Sequence, residues 1–169
     1  MSKAVMISIR PKWCEKIVSG EKTIEVRKTR PKLETPFKCY IYCTLPKYPH
    51  EDFIATDYPR PQFYGGGKVI GEFTCERIAL IAYDGGELSS TTNAAFSPAT
   101  CLTQSEIIAY IGDKGRCYGW HMSDLCIYEQ PKGLDEFTRL RETKFGSEPV
   151  TIKRPPQSWF YVEEVRWLN

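Results

Sequence analysis

The sequence predicts an α+β fold: a small closed or partly open β-barrel of about six short strands, with two or three short helices packed outside. Three observations predict it. Short segments alternating apolar and polar residues recur along the chain, as in Lys38–Leu45, where Cys39, Ile41, Cys43 and Leu45 face one way and Tyr40, Tyr42 and Thr44 the other. Only two or three segments carry a helical period with start and stop signals. Twelve glycines and twelve prolines separate these segments, while 41% hydrophobic and 26% charged residues is an ordinary globular composition. A chain of 169 residues suits one domain, 1–169, without disulfide or metal staples.

The first strand is Ala4–Ile9. Pro11 then opens a helix over Lys12–Ser19 that Gly20 closes, with Trp13, Cys14, Ile17 and Val18 as its apolar stripe. A strand from Thr23 to Arg27 follows, and Lys38–Leu45 is next. A strand apolar on one side and tyrosine-lined on the other suits a barrel wall beside a cleft. Residues 46–67, with Pro46, Pro49, Pro59, Pro61 and three closing glycines, read as a loop insertion. Gly67-Lys68 is not a phosphate loop, because Val69 replaces the required Ser or Thr and Gln62 stands where the first glycine belongs.

Val69–Tyr83 is a long strand, bent near Arg77 and turned by Asp84-Gly85-Gly86 into a polar loop. Thr103-Gln104-Ser105-Glu106 is a capping box for a helix that ends at Ile111 before Gly112. Tyr118–Tyr128 is strand material with a break at Ser123-Asp124. Leu134–Leu140 is a candidate third helix, Arg139, Arg141, Lys144, Lys153 and Arg154 make a basic loop, and Ser158–Arg166 is a closing strand.

A formal charge of +2 is too small for strong nonspecific binding to a polyanion, so any nucleic-acid contact must come from local clustering. Eight cations, Arg10, Lys12, Lys16, Lys22, Arg27, Lys28, Arg30 and Lys32, crowd the start of the chain against Glu15, Glu21 and Glu25. No apolar run has the length of a signal peptide core or a membrane span, so a cytoplasmic protein with reduced thiols is expected. The seven cysteines offer no metal site. Cys39 and Cys43 are about 13 Å apart on a strand, too far to share one zinc, and Cys117 and His121 have the same spacing.

The densest chemistry lies in Gly20-Glu21-Lys22-Thr23-Ile24-Glu25-Val26-Arg27. On a strand, Ile24 and Val26 enter the core while Glu25 and Arg27 project together, and the flexible stem of Lys22 reaches the same spot. A solvated edge strand would carry such charges too. His121 is the one histidine besides His50 able to titrate near neutrality, which makes it, with Lys22 and Glu25, a candidate catalytic residue.

Gly20-x-Lys22-x-x-Glu25-x-Arg27, after a helix and leading a strand, resembles the signature of the ASCH domain, a relative of the PUA domain. Four further tracts resemble a phage-associated and bacterial subgroup of that family: Ser8-Ile9-Arg10-Pro11, Tyr40-x-Tyr42-x-Thr44-x-Pro46, Gly119 to Leu125, and Pro155-Pro156-Gln157-Ser158-Trp159. The resemblance implies a small barrel with a cleft into which Lys22, Glu25 and Arg27 point, and a ligand that is RNA or a modified nucleotide, without cofactor. Arg10, Tyr42, Thr44, Trp120 and Trp159 are the further candidate ligand-binding residues. Some members resembling this chain are amidohydrolases acting on acetylated cytidine and others ribonucleases. The amidohydrolases carry Lys-Thr-Ile-Thr-x-Arg, and their nucleophilic threonine falls on Glu25 here, so that chemistry lacks its nucleophile. A protein-interaction module is the remaining alternative, suggested by the Pro-rich insertion and the basic segment at Arg139–Arg154.

Overall fold

The computed structural model describes residues 2–48, 51, 54–55 and 63–167. Among the described residues eleven strands and two α-helices follow one another: β1 (Lys3–Ile9), α1 (Pro11–Val18), β2 (Ile24–Arg27), β3 (Phe37–Cys43), β4 (Ile54–Ala55), β5 (Phe63–Tyr64), β6 (Lys68–Asp84), β7 (Glu87–Ser90), α2 (Gln104–Ile111), β8 (Arg116–Lys132), β9 (Thr138–Thr143), β10 (Gly146–Thr151) and β11 (Trp159–Glu163). Seven strands form one mixed sheet in the order β11-β1-β3-β6-β8-β2, with β7 also paired to β6. That path has two ends, β11 and β2, so the sheet is not a closed barrel among the described residues. Closure would require the end strands to pair.

Two compact units share the chain: residues 1–15, 37–73 and 125–169 form the first, and 16–36 and 74–124 the second. Each has its own core. In the first, β1 runs parallel to β3, with Val5 opposite Cys39 and Ile9 opposite Cys43, and antiparallel to β11, with Ala4 opposite Val162 and Ile7 opposite Trp159. Flanked on both sides, β1 is buried from Ala4 to Ile9 and is apolar throughout except at Ser8. Ala4, Met6, Tyr40, Tyr42, Val69, Tyr128, Phe137, Ile152 and Val162 pack together there. The second core gathers Ile24 and Val26 with Ala79, Ile81, Ala94, Ala95, Ile107, Ile111 and Cys117.

Several local expectations are met. Pro11 starts α1, and Gly20, at φ +82, stands just past its end. Thr103 and Glu106 form both bonds of the capping box at the start of α2, and Gly112 caps its end. Gly85 and Gly86, both at positive φ, make the two-residue turn between β6 and β7, with Asp84 opposite Glu87. The break expected at Ser123-Asp124 does not interrupt β8, which runs from Arg116 to Lys132, although Asp124 stands in the left-handed region at φ +50.

Others are corrected. The tyrosines of β3 do not line an open wall: Tyr40 and Tyr42 are core residues, and the Tyr40 hydroxyl accepts from the Val165 amide at 2.8 Å. The sheet face they occupy is covered, so burial pushes the Tyr40 phenol up to about 12. Leu45, assigned to the apolar face, lies beyond the strand and is 72% exposed. Leu134–Glu136 is only a turn of 3-10 helix, followed directly by β9. Most of the basic loop is a hairpin of β9 and β10, with Arg139 opposite Val150 and Arg141 opposite Glu148, while Lys153 and Arg154 lie beyond its end. In the 46–67 segment β4 pairs with β5, while His50 and residues 56–62 lie outside the described residues. No helix among the described residues is long and apolar enough to cross a membrane.

Candidate functional site

Lys22, Glu25 and Arg27 come together in the second unit. Gly20 ends the helix and turns the chain, the Lys22 amide donates to the Lys16 carbonyl at 3.0 Å, and Thr23 is fixed at both ends, donating to Ala99 O and accepting from the Met122 amide. These bonds set the register of β2 on β8: Ile24 opposite His121, Glu25 opposite Trp120, Val26 opposite Gly119 and Arg27 opposite Tyr118. Ile24 and Val26 enter the core, which leaves Glu25 and Arg27 on the other face. Gly119 is required for that approach. A Cβ there would stand 3.1 Å from Ala94 Cβ and 3.3 Å from Ile24 Cγ2.

Lys22 and Glu25 are buried rather than solvated, and Arg27 is half-buried. Lys22 is 2% exposed and Glu25 7%. Lys22 Nζ donates to the Thr100 carbonyl at 2.6 Å and lies 4.0 Å from Glu25 Oε2. Glu25 Oε1 accepts from the Val26 amide at 3.2 Å and lies 3.5 Å from Arg27 Nε. Glu25 Oε2 accepts no hydrogen bond among the described residues. Burial drives the Lys22 pKa below its ordinary value, opposed by the Glu25 charge and by Cys101.

The carbonyl that receives Lys22 belongs to a tightly wound segment. Ser97 Oγ caps a 3-10 turn over Pro98–Thr100, and the turn ends at Cys101, in the left-handed region at φ +57. Thr100 Oγ1 bonds back to Ser97 O at 3.1 Å, so the peptide cannot swing away without breaking several contacts. Around Arg27, burial raises the Tyr110 pKa while Arg27 lowers it and Glu25 adds to it, which sets the phenol within the field of both charges. Lys28 Nζ lies 5.1 Å over the same ring.

Two other candidates of this unit have different settings. Trp120 is fully buried opposite Glu25, as an inner wall of the cluster. His121 pairs with Ile24, so alternation sets it on the face opposite Glu25, where its Nε2 meets Thr92 Oγ1 at 3.1 Å. Burial holds the imidazole below its ordinary pKa, with Arg77 adding to the effect. The remaining candidates belong to the first unit. Arg10 and Thr44 line a cavity of about 620 Å³ with Lys12, Glu15 and Lys47. Tyr42 lies in the core, and Trp159 packs edge-on against Tyr161 at 5.4 Å. Ser8 Oγ donates to Pro156 O at 2.6 Å, which ties together two of the tracts singled out in the sequence. Thr100 and Tyr110 had no signature: one contributes only a main-chain oxygen, and the other sits on a helix whose period accounts for it as packing.

No protein-family model matches the sequence, and no curated protein matches it. Solved structures do. ASCH from Zymomonas mobilis is similar with a TM-score of 0.55 and 19% identity, covering 95% of this chain and 88% of that one. A tyrosine-to-phenylalanine mutant of the Zymomonas protein gives a TM-score of 0.56 at 19% identity, covering 96% and 92% of the two chains. A serine-to-alanine mutant gives 0.55 at 19%, covering 95% and 89%. Likeness at this identity is likeness of fold, and with it the chain is assigned the ASCH fold.

Proposed function

We propose that this chain binds RNA or a modified nucleotide through Lys22, Glu25 and Arg27. One observation carries the reading: a buried carboxylate, between an ammonium and a guanidinium, keeps Oε2 without a hydrogen bond among the described residues. A buried acceptor left unmade costs about 1–3 kcal/mol, and an exocyclic amine of a base supplies the missing donor. Arg27 adds a planar donor suited to a phosphate or a base edge, and Lys22 a point charge. The ASCH fold supports the reading by its PUA-like kinship. Binding of short single-stranded RNAs and free nucleosides should weaken about 10- to 100-fold in Arg27→Ala, the loss of one charge-assisted contact. Equal affinities for wild type and mutant would sink the proposal.

A second reading, nucleic-acid processing, draws on the depressed pKa of Lys22. An amine with a lowered pKa loses its proton at lower pH, which makes its neutral, proton-accepting form more accessible. Glu25 still occupies the position of the amidohydrolases' threonine, so cleavage of RNA is the form of this reading that the residues favour. RNA and acetylated cytidine incubated with wild type and Lys22→Met separate the cases. Product formation that needs Lys22 supports turnover, and its absence leaves binding alone.

A further inference from the structure

The β9–β10 hairpin plays no part in that site. Its strands are exposed at most positions on both faces, so burial does little to hold it. Two-stranded hairpins are marginal in water, and this one is held at its base by Thr138 Oγ1, which donates to Glu163 Oε2 at 2.6 Å, and farther out by its own polar contacts. Arg141 Nε donates to Glu148 Oε1 at 3.0 Å, and Ser147 Oγ to Glu142 Oε1 at 2.5 Å. The turn is closed by Thr143 Oγ1, which donates to Gly146 O at 2.7 Å and accepts from the Phe145 amide at 3.2 Å. Gly146, at φ +115, completes it.

What this ordered turn presents is Lys144 and Phe145. Phe145 is 90% exposed, and Gly146 takes the positive φ that the turn requires. Lys144 Nζ lies 5.0 Å from its ring centroid, so a cation and an aromatic face stand side by side. Residues 139–154 hold five cations against two carboxylates, a local charge of +3 that exceeds the +2 of the whole chain. Arg141 is matched by Glu148, and Arg139 stacks on Phe160 at 5.3 Å. Lys153 and Arg154 are exposed and form no ion pair among the described residues.

We propose that the hairpin is a second contact for single-stranded RNA, in which Phe145 at its tip stacks on an unpaired base and Lys144 beside it holds a phosphate, while Lys153 and Arg154, just past its open end, hold phosphates farther along the strand. The choice of RNA rests on the ligand proposed for Lys22, Glu25 and Arg27. The chemistry favours a nucleic acid over an acidic protein segment, because carboxylates would use the cations and leave the flat, exposed ring without a matching face. Every base has such a face, and stacking tolerates any sequence.

The test uses the full chain with a single-stranded RNA of about 12 nucleotides, free nucleosides, and polyglutamate. Phe145→Ala should bind the RNA about 5- to 100-fold more weakly and free nucleosides unchanged. Phe145→Trp should retain affinity and show quenched indole fluorescence on RNA addition, which a merely structural ring would not. Lys144→Ala and Arg154→Ala should each lower the salt dependence of RNA binding by about 0.7 in the log–log slope. Unchanged RNA affinity in Phe145→Ala, or polyglutamate binding that depends on Phe145 as strongly as RNA binding does, would overturn the proposal. The two sites fail separately. If Arg27→Ala keeps nucleoside binding while Phe145→Ala loses the RNA, the Lys22–Arg27 site is wrong and the hairpin stands; the converse pattern removes the hairpin alone.

Discussion

Replacing Glu25 with alanine is expected to destabilise the protein by about 3–5 kcal/mol, the cost of leaving a buried charge without its partner. Lys22 is almost wholly buried, and the Glu25 carboxylate is the opposing charge that favours its ammonium form. Glu25→Gln should cost less, because the amide oxygen can still accept. The double change Lys22→Met with Glu25→Leu should lie closer to wild type than Glu25→Ala does, since it removes both charges and keeps the volume. The deficit should also depend on pH in a defined direction. With Lys22 below its ordinary 10.5 in the folded state, the unfolded chain binds more protons between the two pKa values, so this group's contribution to stability rises with pH in that window. Losing Glu25 lowers the folded pKa further. The gap between wild type and Glu25→Ala should therefore be widest at neutral pH and narrow toward 10.5, as read from urea midpoints. A mutant as stable as wild type would mean that the pair is solvated.

The second large effect is expected at Gly71 on β6. A Cβ there would press on the Cys126 carbonyl oxygen, well inside contact distance, and stand 3.1 Å from Ile127 Cα. Both obstacles are backbone, so no side chain can move aside. Relief requires β6 and β8 to separate, and Gly71→Ala should lose about 3 kcal/mol, the upper end of overpacking penalties. Gly85→Asn is the control. Nothing lies within 4 Å of Gly85, and asparagine tolerates its φ of +57, so a change under about 1 kcal/mol is expected there. Equal thermal midpoints for Gly71→Ala and wild type would show that the strands do not approach as closely as described.

What the sequence made legible was local. The stop at Gly20, the capping box at Thr103 and Glu106 and the turn at Gly85-Gly86 each follow from a few adjacent residues whose backbone preferences need no partner. The convergence of Lys22, Glu25 and Arg27 was legible for the same reason, being alternation on one short strand after a turn. What depends on distant partners was not. Tyr42 reads as a wall residue until β3 is flanked and covered, whereupon it becomes core. His121 reads as a neighbour of Trp120 in sequence, yet alternation sends it to the other face, against Thr92. The path of the sheet, open at β11 and β2 rather than closed, depends on which end strands meet, and no periodicity encodes that. The hairpin at 138–151 was hidden because its strands bury little and so show no apolar alternation.

The central claim is that the buried cluster of β2 is where the ligand binds. It is tested most directly by nuclear magnetic resonance of the isotopically labelled protein during titration with a free nucleoside, which carries no phosphate for the cations of the hairpin segment. The account predicts that the largest shifts fall on the amides of Lys22, Glu25 and Arg27, on the Trp120 indole N–H and on the Arg27 Nε–H, with saturation at one common concentration. Shifts confined to residues outside this cluster, while those resonances stay in place, would contradict it.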